Sequence, residues 1–92
     1  MTAGEDISMR RKKIRYRAWH RGTREMDLVL GPFADRHVDT LSAEDLDRFE
    51  ALLDEEDPPL LKWVLDQEAP PAGVDLDFLG RVIADHRSRM AK

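Results

Sequence analysis

Glycine, proline and capping residues cut this chain into helix-length pieces, and that punctuation constrains the fold more than any other feature. Gly22, the Gly31-Pro32 pair, Ser42, Asp57-Pro58 and the Pro70-Pro71 stretch ending at Gly73 each mark a stop or a start. Between them apolar residues recur three and four apart, the spacing of one helix face. No run of alternating apolar and polar residues is long enough to argue for a strand. The expected fold is all-α: a compact five-helix bundle with short loops, which favour antiparallel neighbours. Ninety-two residues make a single domain, 1–92. Residues 1–5 are expected to form a flexible N-terminus and about 6–90 the bundle.

The first helix is expected from about Asp6 to His20, with Ile7, Ile14 and Ala18 on one face and Tyr16 and Trp19 adding aromatic bulk. Gly22 supplies its stop, because glycine takes positive φ without a Cβ penalty. Thr23 then caps the second helix, with Glu25 and Asp27 near the positive end of its dipole. Met26, Val29, Leu30 and Phe33 form its apolar stripe. Pro32 removes a backbone hydrogen bond, so a kink or a break is expected at Gly31-Pro32. Ser42 and Asp45 match a capping box for the third helix. Leu46, Phe49 and Leu53 form its buried stripe, and Glu44, Asp47, Glu50, Asp54 and Glu55 a solvated acidic face. Asp57-Pro58 reads as an N-cap followed by proline at the first helical position. A fourth helix follows, with Leu60, Leu61, Val64 and Leu65. The fifth begins near Asp75, and Leu76, Leu79, Ile83, His86 and Met90 follow a bundle-seam rhythm.

Charge is distributed unevenly. From Arg10 to Arg24 there are eight lysines and arginines and no acid, yet the chain as a whole carries −4. The overall acidity disfavours bulk binding to nucleic acid. The absence of cysteine excludes disulfides, thiolate metal sites and a cysteine nucleophile. No apolar run approaches the ~20 residues that span a membrane. No nucleophile elbow, glycine-rich phosphate loop or metal-spaced histidine pair is present. His20, His37 and His86 lie on different helices and read as surface or core-edge residues. Catalytic, metal and cofactor-binding residues are therefore all expected to be absent.

Two features invite a binding function. Arginines interleaved with Tyr16 and Trp19 in Arg10–Arg24 allow a small nucleic-acid-binding module as an alternative. The junction Arg21-Gly22-Thr23-Arg24-Glu25-Met26-Asp27 gathers both signs of charge at a glycine corner. An Arg21–Glu25 pair at i, i+4 accounts for only part of it. Trp63 reads either as core or, if exposed, as a protein-interface anchor.

That junction resembles the RGxxE motif of the FAD assembly factors of succinate dehydrogenase, the succinate dehydrogenase assembly factor 2 family. The resemblance continues through Pro32-Phe33, Leu41-Ser42 with Glu44, Phe49 with Leu52-Leu53, and the Asp57-Pro58, Leu61, Trp63 block. It spans about Tyr16 to Leu65. The chain departs from the family at Pro59, where an acid is common, and in its last helix.

The resemblance implies a five-helix chaperone that binds the flavoprotein subunit of succinate dehydrogenase, or of fumarate reductase in some bacteria. Such a chaperone promotes covalent attachment of FAD to a histidine of that subunit. It implies no enzyme activity of this chain, because the flavinylation is autocatalytic within the flavoprotein. FAD then belongs to the partner. Arg21, Gly22, Arg24, Glu25 and Asp27 would lie on the partner-binding surface, and Trp63 matches the second block of that resemblance. Family members in eukaryotes carry a targeting extension that is absent here, so a bacterial cytoplasmic protein is expected, monomeric when free.

Overall fold

The computed structural model describes residues 6–91; the expectation for residues 1–5 lies outside them. The element order is α1 (Ile7–Trp19), α2 (Arg24–His37), a 3-10 turn (Val38–Thr40), α3 (Ala43–Leu53), α4 (Asp57–Val64) and α5 (Leu76–Met90). No strand occurs among the described residues. A radius of gyration of 13.1 Å is what one compact body of this size has.

Short polar side chains start most of these helices. Asp6 accepts from the Met9 amide at 2.8 Å, Thr23 from Met26 at 3.3 Å, Ser42 from Asp45 at 3.1 Å and Asp75 from Phe78 at 3.0 Å. Each satisfies one amide that has no partner inside its helix. The capping box at α3 is only half formed. The Asp45 carboxylate turns to Arg48 at 3.1 Å and Arg81 at 3.0 Å, since two guanidiniums outcompete one backbone amide.

The expected Asp57 cap is corrected: Glu56 is the N-cap of α4, without a side-chain hydrogen bond, and Asp57 is the first helical residue. Its carboxylate is committed elsewhere, as described below. At the far end of α4, Asp66 takes φ +60°. Asp66 N donates to Trp63 O and Gln67 N to Lys62 O at 2.8 Å, a Schellman turn with aspartate where glycine is usual.

The core is centred on three phenylalanines. Phe33 meets Phe49 and Phe78 edge-on, with centroids 5.3 and 5.8 Å apart, and Phe49 lies 5.5 Å from Phe78. Edge-on rings set a positive rim against a negative face. Met26, Val29, Leu30, Leu46, Leu53, Leu60, Val64, Leu79 and Val82 close around them. The stripes expected for α2 and α3 are buried as spaced.

The seam expected on α5 is rotated. Phe78, Leu79, Val82 and Asp85 are buried, whereas Leu76 and Met90 at its two ends are exposed. Ile7 and Tyr16 on α1 are exposed as well, leaving Ile14 and Ala18 as its buried side chains.

The helix α2 runs unbroken through Gly31-Pro32, for two reasons. The Trp19 indole of α1 lies directly on Gly31, where any Cβ would collide with the ring. Glycine there serves close helix approach rather than a stop. Pro32 has no N–H for the Leu28 carbonyl four residues back. Arg89 of α5 donates to Leu28 O instead, and also to Val29 O, each at 3.1 Å.

Candidate functional site

The corner between α1 and α2 is built by Arg21, Gly22 and Asp27. Gly22 has φ +109°, a conformation that L side chains rarely adopt. The nearest atom to a Cβ added there is Asp57 Oδ2 at 3.8 Å. Backbone conformation, rather than lack of room, therefore demands glycine. Asp27 Oδ1 accepts from the Arg21 amide at 2.7 Å and holds the turn from the α2 side.

The Arg21 side chain points inward. Its Nε donates to Asp57 Oδ1 at 2.8 Å, and its two terminal nitrogens donate to the carbonyls of Leu53 and Glu55. Those carbonyls lie at the C-terminal end of α3, which lacks internal donors and carries the negative end of the helix dipole. Asp57 sits in the first turn of α4, at the positive end of that helix's own dipole. One guanidinium thus joins the α1–α2 corner to the α3–α4 connection. The Arg21 and Asp57 side chains are only 9% and 10% exposed. Thr23 Oγ1 adds a bond to Asp57 Oδ2 at 3.4 Å. Arg21 pairs with Asp57 rather than with Glu25, because the turn at Gly22 sends its side chain away from the face of α2.

Arg24 and Glu25 point outward. Both are exposed, and neither side chain has an ion pair or hydrogen bond among the described residues. The grouped site residues therefore divide: Arg21 and Asp27 hold the corner, Gly22 turns it, and Arg24 and Glu25 are displayed. Trp63 is not displayed. It is 5% exposed, and its indole N–H is buried without a partner. The interface-anchor reading of Trp63 gives way to core packing.

The surface around the corner is a continuous series of shallow hollows. Tyr16 and His20 stack with centroids 4.0 Å apart and border a hollow with Arg17, Arg21, Glu56 and Asp57. His20 also borders the next hollow, with Trp19, Gly22, Thr23, Arg24 and Leu28. Leu28 in turn borders an apolar groove between α2, α4 and α5. The groove was not singled out in the sequence. Leu28 lay outside the expected stripes, whereas Leu65 and Met90 were counted in them and prove exposed.

Most of the basic segment is spent inside the molecule. Arg10 bonds Asp47 and, at 2.7 Å, Glu50; Arg17 bonds Asp54 at 2.7 Å; Arg15 lies 3.2 Å from Asp35. Arg11 donates to Val38 O and Leu41 O at 2.9 and 2.8 Å. The hydrogen bonds that Arg10 donates to Glu50 and then to Asp47 raise its pKa above the ordinary value. Arg10 and Arg17 of α1 thus pair with the acidic face of α3, on which Glu44, Asp47 and Asp54 remain exposed as expected. The cations on which a nucleic-acid interface would depend are largely paired.

No group of three or more histidines, aspartates or glutamates is placed to hold a metal ion among the described residues. No described helix is long and apolar enough to cross a membrane.

The family described as flavinator of succinate dehydrogenase, Sdh5, matches residues 12–87. The chain belongs to that family. The match takes in the whole corner, both displayed residues and most of α5. The FAD assembly factor SdhE of Acetobacter pasteurianus is 41% identical over 44 residues. The shared stretch is 48% of this chain and 40% of that relative. No solved structure matches.

Proposed function

We propose that this chain is an assembly chaperone that binds the flavoprotein subunit of succinate dehydrogenase and promotes its covalent flavinylation. The same reading extends to a fumarate reductase flavoprotein where the cell has one. The supporting observation is the division of the corner. Arg21, buried against Asp57 and the end of α3, fixes the turn that sets Gly22, Arg24 and Glu25 on the surface. An element this firmly held presents unpaired charges in one geometry, and preorganisation lowers the entropic cost of docking.

In this reading the chain performs no chemistry on the flavin. The bond forms within the flavoprotein between its own histidine and FAD, and the chaperone accelerates it by holding the partner in a productive arrangement. FAD belongs to the partner, and the chain acts in the bacterial cytoplasm. Membership of the flavinator family and the shared stretch with an FAD assembly factor support this reading.

In-gel flavin fluorescence of the flavoprotein tests it, in cells whose own gene is replaced by variants. Glu25→Ala and Arg24→Glu change displayed side chains and should fold normally, yet leave the flavoprotein with markedly less covalent flavin. Gly22→Arg should do the same, although backbone strain at φ +109° also contributes there. Full covalent flavin in cells that lack the chain altogether would sink the proposal.

A further inference from the structure

We propose that the groove between α2, α4 and α5 seats an apolar segment of the flavoprotein that carries a lysine or arginine, with Glu25 as the acceptor of that cation. The inference rests on the functional reading above and assigns a second part of the docking surface.

The groove has a volume of about 390 Å³. Leu28, Leu65 and Met90, three of its apolar lining residues, are 47%, 46% and 69% exposed. Single exposed apolar residues are ordinary, but a contiguous set around a concave surface marks an interaction site. The periodicity of α5 points the same way. Its apolar rhythm runs from buried Leu79 through half-buried Ile83 to His86 and Met90, which line the open groove. The helix thus carries a packing stripe beyond the part that its own chain covers.

The charges around the groove specify the occupant. Arg89 is committed to Asp85 at 3.0 Å and to the carbonyls of Leu28 and Val29. His86 is part-buried, with its Nδ1 unpartnered, and burial, followed by the Arg89 charge, favours its neutral form. Glu25 has no ion pair or hydrogen bond among the described residues. The uncommitted charge on the groove is therefore negative, and complementarity calls for a cation on an otherwise apolar segment. Leu28 lines both this groove and the hollow beside Gly22 and Arg24, so one partner can cover both without a break.

Calorimetric titration of the purified flavoprotein subunit, taken before flavin attachment, tests the assignment. The titrants are the wild-type chain, Leu65→Glu, Met90→Glu and Glu25→Gln, each at low and high ionic strength. Both leucine and methionine positions are exposed, so the variants should keep the wild-type thermal midpoint. Burying a new carboxylate in an apolar contact should weaken binding at least about tenfold. Glu25→Gln should weaken it about threefold and flatten its dependence on salt. Hydrogen exchange on the flavoprotein should show protection of an apolar segment that contains lysine or arginine.

Wild-type affinity in all three variants overturns the groove and leaves the functional reading standing. Protection confined to a segment without a cation also overturns it. Failure of the wild-type chain to bind overturns the functional reading and this assignment with it. Self-association that Leu65→Glu abolishes names a second copy as the occupant and overturns the proposal.

Discussion

Around Phe49 three phenyl rings meet with no charge between them, whereas α1 lies on the same bundle through arginines. Ile14 and Ala18 are the buried side chains of α1 and Trp19 packs on Gly31, while Arg10, Arg11 and Arg17 add bonds to α3 and around the 3-10 turn. The two regions are therefore held by forces of different reach. Burial of rings is short-ranged, indifferent to salt and large per residue, about 1.5–3 kcal/mol for each fully buried side chain. Exposed ion pairs contribute about 0–1 kcal/mol each and weaken with salt. The corner at Gly22 lies where the two regimes join. Its fixed point, the Arg21–Asp57 pair, belongs to neither: it is charged but nearly buried.

Substitutions can separate these regimes. Phe49→Ala should cost about 3–5 kcal/mol, read as a loss of urea midpoint unaffected by salt. Arg21→Met leaves Asp57 without its charge partner in a nearly buried site. It should cost about 3–5 kcal/mol and detach the corner, visible as faster amide exchange from Arg21 to Thr23. A cost below that of an exposed pair would show that the corner is held by its backbone alone. Gly31→Ala should cost about 1–3 kcal/mol because its methyl collides with Trp19. An exposed helical site would gain stability from the same change, so the sign of the effect decides whether Trp19 sits on Gly31. Arg17→Met, at the exposed pair with Asp54, should cost less than about 1 kcal/mol, and high salt should erase that difference.

Acid should loosen the α5 side in two steps. Burial first, and the Arg89 charge second, lower the His86 pKa. The unfolded chain then takes up its proton more readily, so stability falls as pH drops below about 6.5. At Asp85 burial alone would raise the pKa, but hydrogen bonds from Arg89 and His37 outweigh it and the net shift is downward. Asp75 is lowered by its bond from Arg48 first, and Asp45 by its bond from Arg81. These carboxylates stabilise the fold above about pH 4, and their contribution is lost as pH falls through their lower folded values. Urea midpoints across that range should decline in both windows. A flat profile between about pH 7 and 5 would contradict the lowered His86.

Local signals were legible before any coordinates. The caps at Thr23 and Ser42 and the stripes of α2 and α3 depend on residues three or four apart, which spacing reveals. Whatever depended on distant partners was not. Asp57 has the residue type and the following proline of a cap, but its partner Arg21 lies 36 positions away. Gly31-Pro32 looks like an interruption because neither Trp19 nor Arg89 is near it in sequence. The motif itself was visible as a charged corner. Its division into inward Arg21 and outward Arg24 and Glu25 required knowing where the end of α3 lies. Trp63 was ambiguous for the same reason: α4 is apolar on more than one side, and only the packing decides which side is covered.

The Arg89 clamp ties the middle of α2 to the end of α5. The Leu28 carbonyl, left without a helical donor by Pro32, takes one from a guanidinium on another helix. The turn of α2 that follows Arg24 and Glu25 is therefore bonded completely only once α5 has docked. Arg89→Met should open that carbonyl to water and cost about 1–3 kcal/mol, read as a lower urea midpoint. An unchanged midpoint would refute the dependence.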